Sequence, residues 1–165
     1  MLRLRGSLLS GVLVLVCLAI GVRAQAPAPM HQNIDPGSIK WEPAPPGMPP
    51  GAMVAVLYGD PSKDGEYYVM RLKAPDGFKV MPHTHPADEH LTVLKGTFLV
   101  GMGEKWDDSA MKSLGAQGHS FMPKNTAHFA MVKGETIIEA SGVGPFGITY
   151  INPNDDPRNK KTSNQ

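Results

Sequence analysis

From residue 52 onward the chain advances in short apolar or alternating runs, each stopped by glycine, proline, asparagine or aspartate. AMVAVLY (52–58) gives way to the turn-rich GDPSKDG, and EYYVMRLKA (66–74) sets Tyr68, Met70 and Leu72 on one face against Tyr67, Val69 and Arg71 on the other. FKVM follows PDG, and LTVLKGTFLVGMG reads as a hairpin broken at Gly96. Later runs cover 119–122, 127–134, 135–142 and 145–152. Side chains of a strand alternate between two faces, so repeated short strands with these breakers predict an all-β sandwich or barrel. One helical turn is predicted in WDDSAMKSLG, capped by Asp107 or Asp108 and ended by Gly115. With 165 residues and no internal repeat, there is room for one such barrel over 52–152, and the polar 153–165 is expected to fray.

The N-terminal stretch has a different character. Arg3 and Arg5 precede a largely apolar run over 8–22, interrupted by Ser10 and Gly11 and closing on Val22, Arg23 and Ala24. That order predicts a secretory signal over 1–24, hence a periplasmic or secreted protein; an uncleaved anchor is the alternative, weakened by the shortness of the run. Lipid attachment at Cys17 fits poorly, because Val16 stands where a small residue is wanted. The segment carries three arginines and no acid, so its removal leaves 13 basic and 15 acidic groups. This near-neutral balance gives no footing to nucleic acid or to an acidic membrane surface as partner. The only cysteine would leave with the signal, so any metal must be held by nitrogen and oxygen. Residues 25–51 hold eight of the sixteen prolines. Proline donates no backbone hydrogen bond, so this is read as an extended leader, either a tether or a strap along the barrel anchored by Ile39 and Trp41.

The chemistry concentrates in PHTHPADEH, where three of the six histidines sit within nine residues. In extended chain His83 and His85 project to the same side, and the bend at Pro86, Ala87 and Asp88 can return the Glu89 carboxylate to the same centre. Pro82 and Pro86 stiffen the segment, which lowers the entropy lost on fixing ligands. A further ligand is sought on a facing strand, and His128, sharing a face with Ala130 and Val132, is the candidate. Three imidazoles and a carboxylate suit one divalent transition metal (Fe, Mn, Ni, Cu, Co or Zn), with no choice among them from donor type. His90 should face away from Glu89, His119 is read as exposed, and His31 has no role; Asp88 is either an orienting partner for a ligand imidazole or a solvated acid. The scattered methionines read as packing rather than as copper ligands, and Tyr68, Met70, Phe98, Met102, Phe121, Phe129, Met131 and Tyr150 as core candidates.

Residues 77–96 run Gly77, five residues, His83-x-His85, three residues, Glu89, six residues, Gly96. This resembles the first signature motif of the cupin superfamily with no departure in spacing. GHSFMPKNTAHFAMV resembles the second: Pro123, Asn125 and His128 keep its spacing, with Asn125 in place of glycine, Gly118 one residue closer to Pro123, and Val132 in place of asparagine. Asparagine tolerates the left-handed backbone such a turn needs. The resemblance, best to small exported single-domain cupins, implies a double-stranded β-helix (jelly-roll) barrel with the metal held inside by His83, His85, Glu89 and His128. It also implies dimerisation through barrel faces and an N-terminal arm, for which the leader with Trp41 is the candidate.

Two functions follow. The first is a metal-dependent enzyme acting on a small molecule, dioxygenase-type chemistry on a phenolic or enol compound being favoured over isomerisation or hydrolysis, with Glu89 as base. The second is a non-catalytic module that binds metal or a small ligand. An open position facing an apolar cavity separates the first from the second.

Overall fold

A computed structural model of the protein describes residues 31–160; the predicted signal over 1–24, with Cys17, lies outside the described residues. Nine strands occur among them: β1 (Glu42–Pro43), β2 (Met53–Tyr58), β3 (Tyr67–Ala74), β4 (Lys79–Thr84), β5 (Glu89–Met102), β6 (Lys112–Leu114), β7 (His119–Met122), β8 (His128–Val143) and β9 (Thr149–Tyr150). Every named pairing is antiparallel. No described helix is long and apolar enough to cross a membrane.

The long strands β5 and β8 build the barrel. They pair from Glu89 opposite Gly142 to Met102 opposite His128. The second half of β8 continues into β3 and the first half of β5 into β7, which with β2 and β1 makes one wall. The other ends of the same two strands pair with β4 and β6, and β4 with β9, to make the opposite wall. One sheet thus curls over itself, the all-β jelly roll expected from the sequence. Between the walls lie Tyr68, Met70, Leu72, Leu91, Val93, Phe98, Val100, Ala130, Val132, Ile138 and Ala140, all buried. Alternation explains the set: Tyr68, Met70 and Leu72 face inward as read, while Tyr67 is exposed.

Three local expectations are corrected. Gly96 does not turn a hairpin; β5 passes through it with register shifts at 93–95 and 95–97, and β8 runs unbroken across 134–135. Gly96 holds φ +80, and a Cβ there would meet the Thr136 hydroxyl and the Glu135 carbonyl oxygen, the latter at 2.6 Å. The buried Thr136 Oγ1 also accepts the Thr97 N–H at 3.1 Å, so the bulge is locked from the β8 side. Gly96→Ala is therefore expected to cost about 2–3 kcal/mol, read as a lower denaturation midpoint; an unchanged midpoint would mean the bend relaxes freely. Second, the helical turn is a single 3-10 turn, Asp108–Ala110, capped by Asp107, and the chain beyond it forms β6 rather than a helix end. Third, Met102 and Phe121 are half exposed rather than core. Met102 is the last residue of β5, and Met122 takes the inward position on β7, turning Phe121 outward.

From residue 34 on, the leader is part of the barrel unit: β1 pairs with β2, Lys73 stands 4.6 Å over the Trp41 ring, and the Tyr150 hydroxyl donates to the Gly47 carbonyl at 2.8 Å. At the other end, 153–160 forms two 3-10 turns capped by Asn152 and Asp156, with Arg158 donating to the Ile148 carbonyl at 3.0 Å, rather than fraying.

Candidate metal centre

His83 lies on β4 directly opposite His128 at the start of β8, and His85 follows immediately where β4 ends. This register brings the three rings together, with centroids 4.3 Å apart for His83 and His128, 4.9 Å for His83 and His85, and 5.1 Å for His85 and His128. One nitrogen from each lies within 4.8 Å of the others, the only such group of three potential ligands among the described residues. Glu89, the first residue of β5, is buried beside them and brings Oε2 to 3.4 Å from His85 Nε2. The expected fourth ligand thus touches one member of the triad without belonging to the mutually close set.

The tautomers follow from the hydrogen bonds. Nδ1 of His83 is 2.7 Å from the Met81 carbonyl oxygen, Nδ1 of His85 is 2.7 Å from that of Gly147, and Nδ1 of His128 is 2.9 Å from that of Thr126. A carbonyl oxygen only accepts, so each Nδ1 carries the proton and donates it, leaving each Nε2 with a free lone pair. That is the state a metal requires, and the carbonyls fix ring orientation as the outer partners of ligating histidines do. The role considered for Asp88 is not taken: it is exposed, and its Oδ1 accepts the Lys124 N–H at 2.8 Å. The carbonyls carry no sequence signature of their own, which is why residue reading missed them.

Electrostatics agree. Burial, reinforced by the neighbouring His128 and His85, pushes the His83 imidazole down to about 3. Burial lowers His85 too, and takes His128 down to about 4. Burial pushes the Glu89 carboxyl up to about 8. At neutral pH the metal-free centre therefore holds three uncharged imidazoles and a protonated carboxyl, a buried donor set that a divalent cation would suit.

The turn before β8 ties the two halves together. Asn125 adopts φ 59 and donates its N–H to the His85 carbonyl at 2.8 Å, one residue before the Thr126 carbonyl that holds His128. The left-handed backbone anticipated at this position is present. Asn125→Gly should leave metal uptake and stability near wild type. Asn125→Val should cost about 1–2 kcal/mol and weaken uptake, because a branched side chain resists that backbone; equal behaviour of the two variants would contradict the argument.

The centre opens into a cavity of about 440 Å³. Its wall is mainly apolar, including Met70, Leu72, Val80, Phe98, Ile138, Phe146 and Ile148, and the leader adds Lys40, Glu42, Pro45 and Met48. His90 and His119 lie elsewhere, exposed on the outer face, and His31 is exposed in the leader.

The curled jelly roll is the fold of several solved proteins, cupins among them. The polyketide cyclase RemF of Streptomyces resistomycificus superposes with a TM-score of 0.62 at 16% identity, covering 78% of this chain and 91% of its own. An acetylacetone dioxygenase of Acinetobacter johnsonii gives 0.58 at 16% identity, covering 81% and 85%. An RmlC-like cupin of Shewanella frigidimarina gives 0.52 at 18% identity, covering 69% and 91%. Comparison with protein-family models and with curated proteins gives no match.

Proposed function

We propose that this chain is an exported cupin, periplasmic or secreted, and a metal-dependent enzyme of dioxygenase type acting on a small enolic or phenolic compound. The observation that carries the reading is the placement of three deprotonated Nε2 atoms at the wall of a mainly apolar cavity. A purely structural metal site is closed by its ligands, whereas this one faces room for a substrate. His83, His85 and His128 would hold the ion, with Glu89 placed to join them from beside His85. A divalent ion there supplies Lewis acidity and, as iron(II), reactivity toward dioxygen. The apolar wall excludes water and packs the body of the substrate. Glu89, beside His85 at the cavity wall, would serve as the base that takes the proton of an enol or phenol. In the metal-free centre burial already raises the proton affinity of this carboxyl. An enolisable diketone is the first compound to try, since one structural neighbour is described as an acetylacetone dioxygenase.

The test is to load the chain separately with Fe(II), Mn, Co, Ni, Cu and Zn and to follow oxygen consumption with a panel of small diketones and phenols. One metal form should consume oxygen with substrate and lose that activity on Glu89→Gln. Tight uptake without turnover in any form would leave a metal-binding or ligand-binding module instead.

A further inference from the structure

A second pair of imidazoles sits on the outer face of the barrel, outside the centre described above. On β5 and β7, Thr92 stands directly opposite His119, and His90 opposite Phe121. His90 and His119 are thus diagonal neighbours on one exposed face, and His90 Nδ1 lies 3.3 Å from His119 Nε2. Alternation turns His90 away from Glu89, its neighbour in sequence, so the sheet itself separates this pair from the buried triad.

We infer that His90 and His119 form a second, solvent-facing site for a borderline divalent cation such as zinc. Zinc binds imidazole nitrogen at about 2.0–2.1 Å, and two such bonds at the tetrahedral angle separate their nitrogens by about 3.3 Å. The observed spacing already equals that bite. The surroundings orient both rings. Thr92 Oγ1 lies 3.1 Å from His119 Nδ1, and with the hydroxyl accepting the Nδ1 proton, Nε2 is left for the ion. Phe121 lies 4.9 Å from the His90 ring, centroid to centroid, and limits its swing. His90 binds through Nδ1 after moving its proton to Nε2, a change of tautomer with no change of charge. The carboxylates nearby are engaged: Glu139, opposite Thr92 on β8, pairs with Arg71 at 2.9 Å, and Asp88 accepts the Lys124 N–H. The site is therefore a two-imidazole chelate on a rigid sheet, with its remaining coordination positions open to water.

Equilibrium dialysis of the full chain against zinc, with ions counted per chain, tests this independently of the buried centre. His119→Ala and His90→Ala should each bind one ion fewer than wild type, whether the wild-type total is two or, should the buried triad take none, one. Thr92→Val should keep the site and weaken it about tenfold, the scale of a lost outer partner. All three positions are on exposed or half-exposed strand faces, and circular dichroism confirms folding. Equal counts and affinities for wild type and His119→Ala would overturn the inference, as would zinc uptake that is reduced only by changes at the buried triad.

Discussion

Replacing His128 with alanine is expected to abolish metal uptake, lowering affinity by more than about 100-fold, because losing even an outer-shell partner costs 10- to 100-fold. His128 reaches the centre from β8, a strand 45 residues beyond His83 in sequence yet directly opposite it in register. No other described side chain is placed to bring a third imidazole nitrogen to the pair on and after β4. The substitution also orphans the Thr126 carbonyl oxygen, which now receives the Nδ1 proton, at a cost of about 1–3 kcal/mol to the metal-free protein. Dialysis against a divalent ion with elemental counting reads the first effect, and thermal unfolding with chelator reads the second. Glu89→Gln supplies the comparison. A fall as large as that for His128→Ala makes Glu89 a full ligand, whereas unchanged affinity confines it to its place beside His85. Wild-type affinity in His128→Ala would mean that the three clustered rings are not the site.

The parts that sequence made legible are those set by alternation and by turn chemistry. The inward facing of Tyr68, Met70 and Leu72, of His128 with Ala130 and Val132, and the convergence of His83 and His85 all follow from a two-residue period. Asn125 at φ 59 follows from the tolerance of asparagine for left-handed backbone. What stayed hidden depends on partners far along the chain. Gly96 reads as a turn because glycine at positive φ serves turns and bulges alike; only pairing with β8 on both sides of it decides for the bulge. The short β6 exists because Phe98, Leu99 and Val100 offer it an edge. The carbonyls of Met81, Thr126 and Gly147, which set the tautomers, are backbone atoms that any residue supplies, so no residue type points to them.

Without metal, the protein is expected to be most stable near pH 6.5 and to weaken on both sides for different reasons. On the acid side, His83 and His128 take protons in the unfolded chain below about 6.5 but in the folded protein only near 3 and 4, and His85 is lowered in the same sense. The unfolded state then binds more protons, so stability falls as pH drops, by up to about 1.4 kcal/mol per pH unit for each histidine. Glu89 acts in the opposite sense. Its ordinary value is 4.5 and its folded value about 8, so between these the folded protein holds a proton that the unfolded chain has lost, and stability falls as pH rises. From 4.5 to 6.5 the histidines outweigh it. From 6.5 to 8 it acts alone and removes about 2 kcal/mol, since each unit is worth about 1.4 kcal/mol. A bound cation favours the carboxylate and the neutral imidazoles, so it should erase the alkaline decline and displace the acid limb downward. Denaturation midpoints across this range, with chelator and then with metal, measure both limbs. Glu89→Gln should be flat between pH 6.5 and 8 without metal, and His128→Ala should show a shallower acid limb. A wild-type protein that is equally stable at pH 6.5 and 8 in chelator would show that the Glu89 carboxyl is not held protonated by burial.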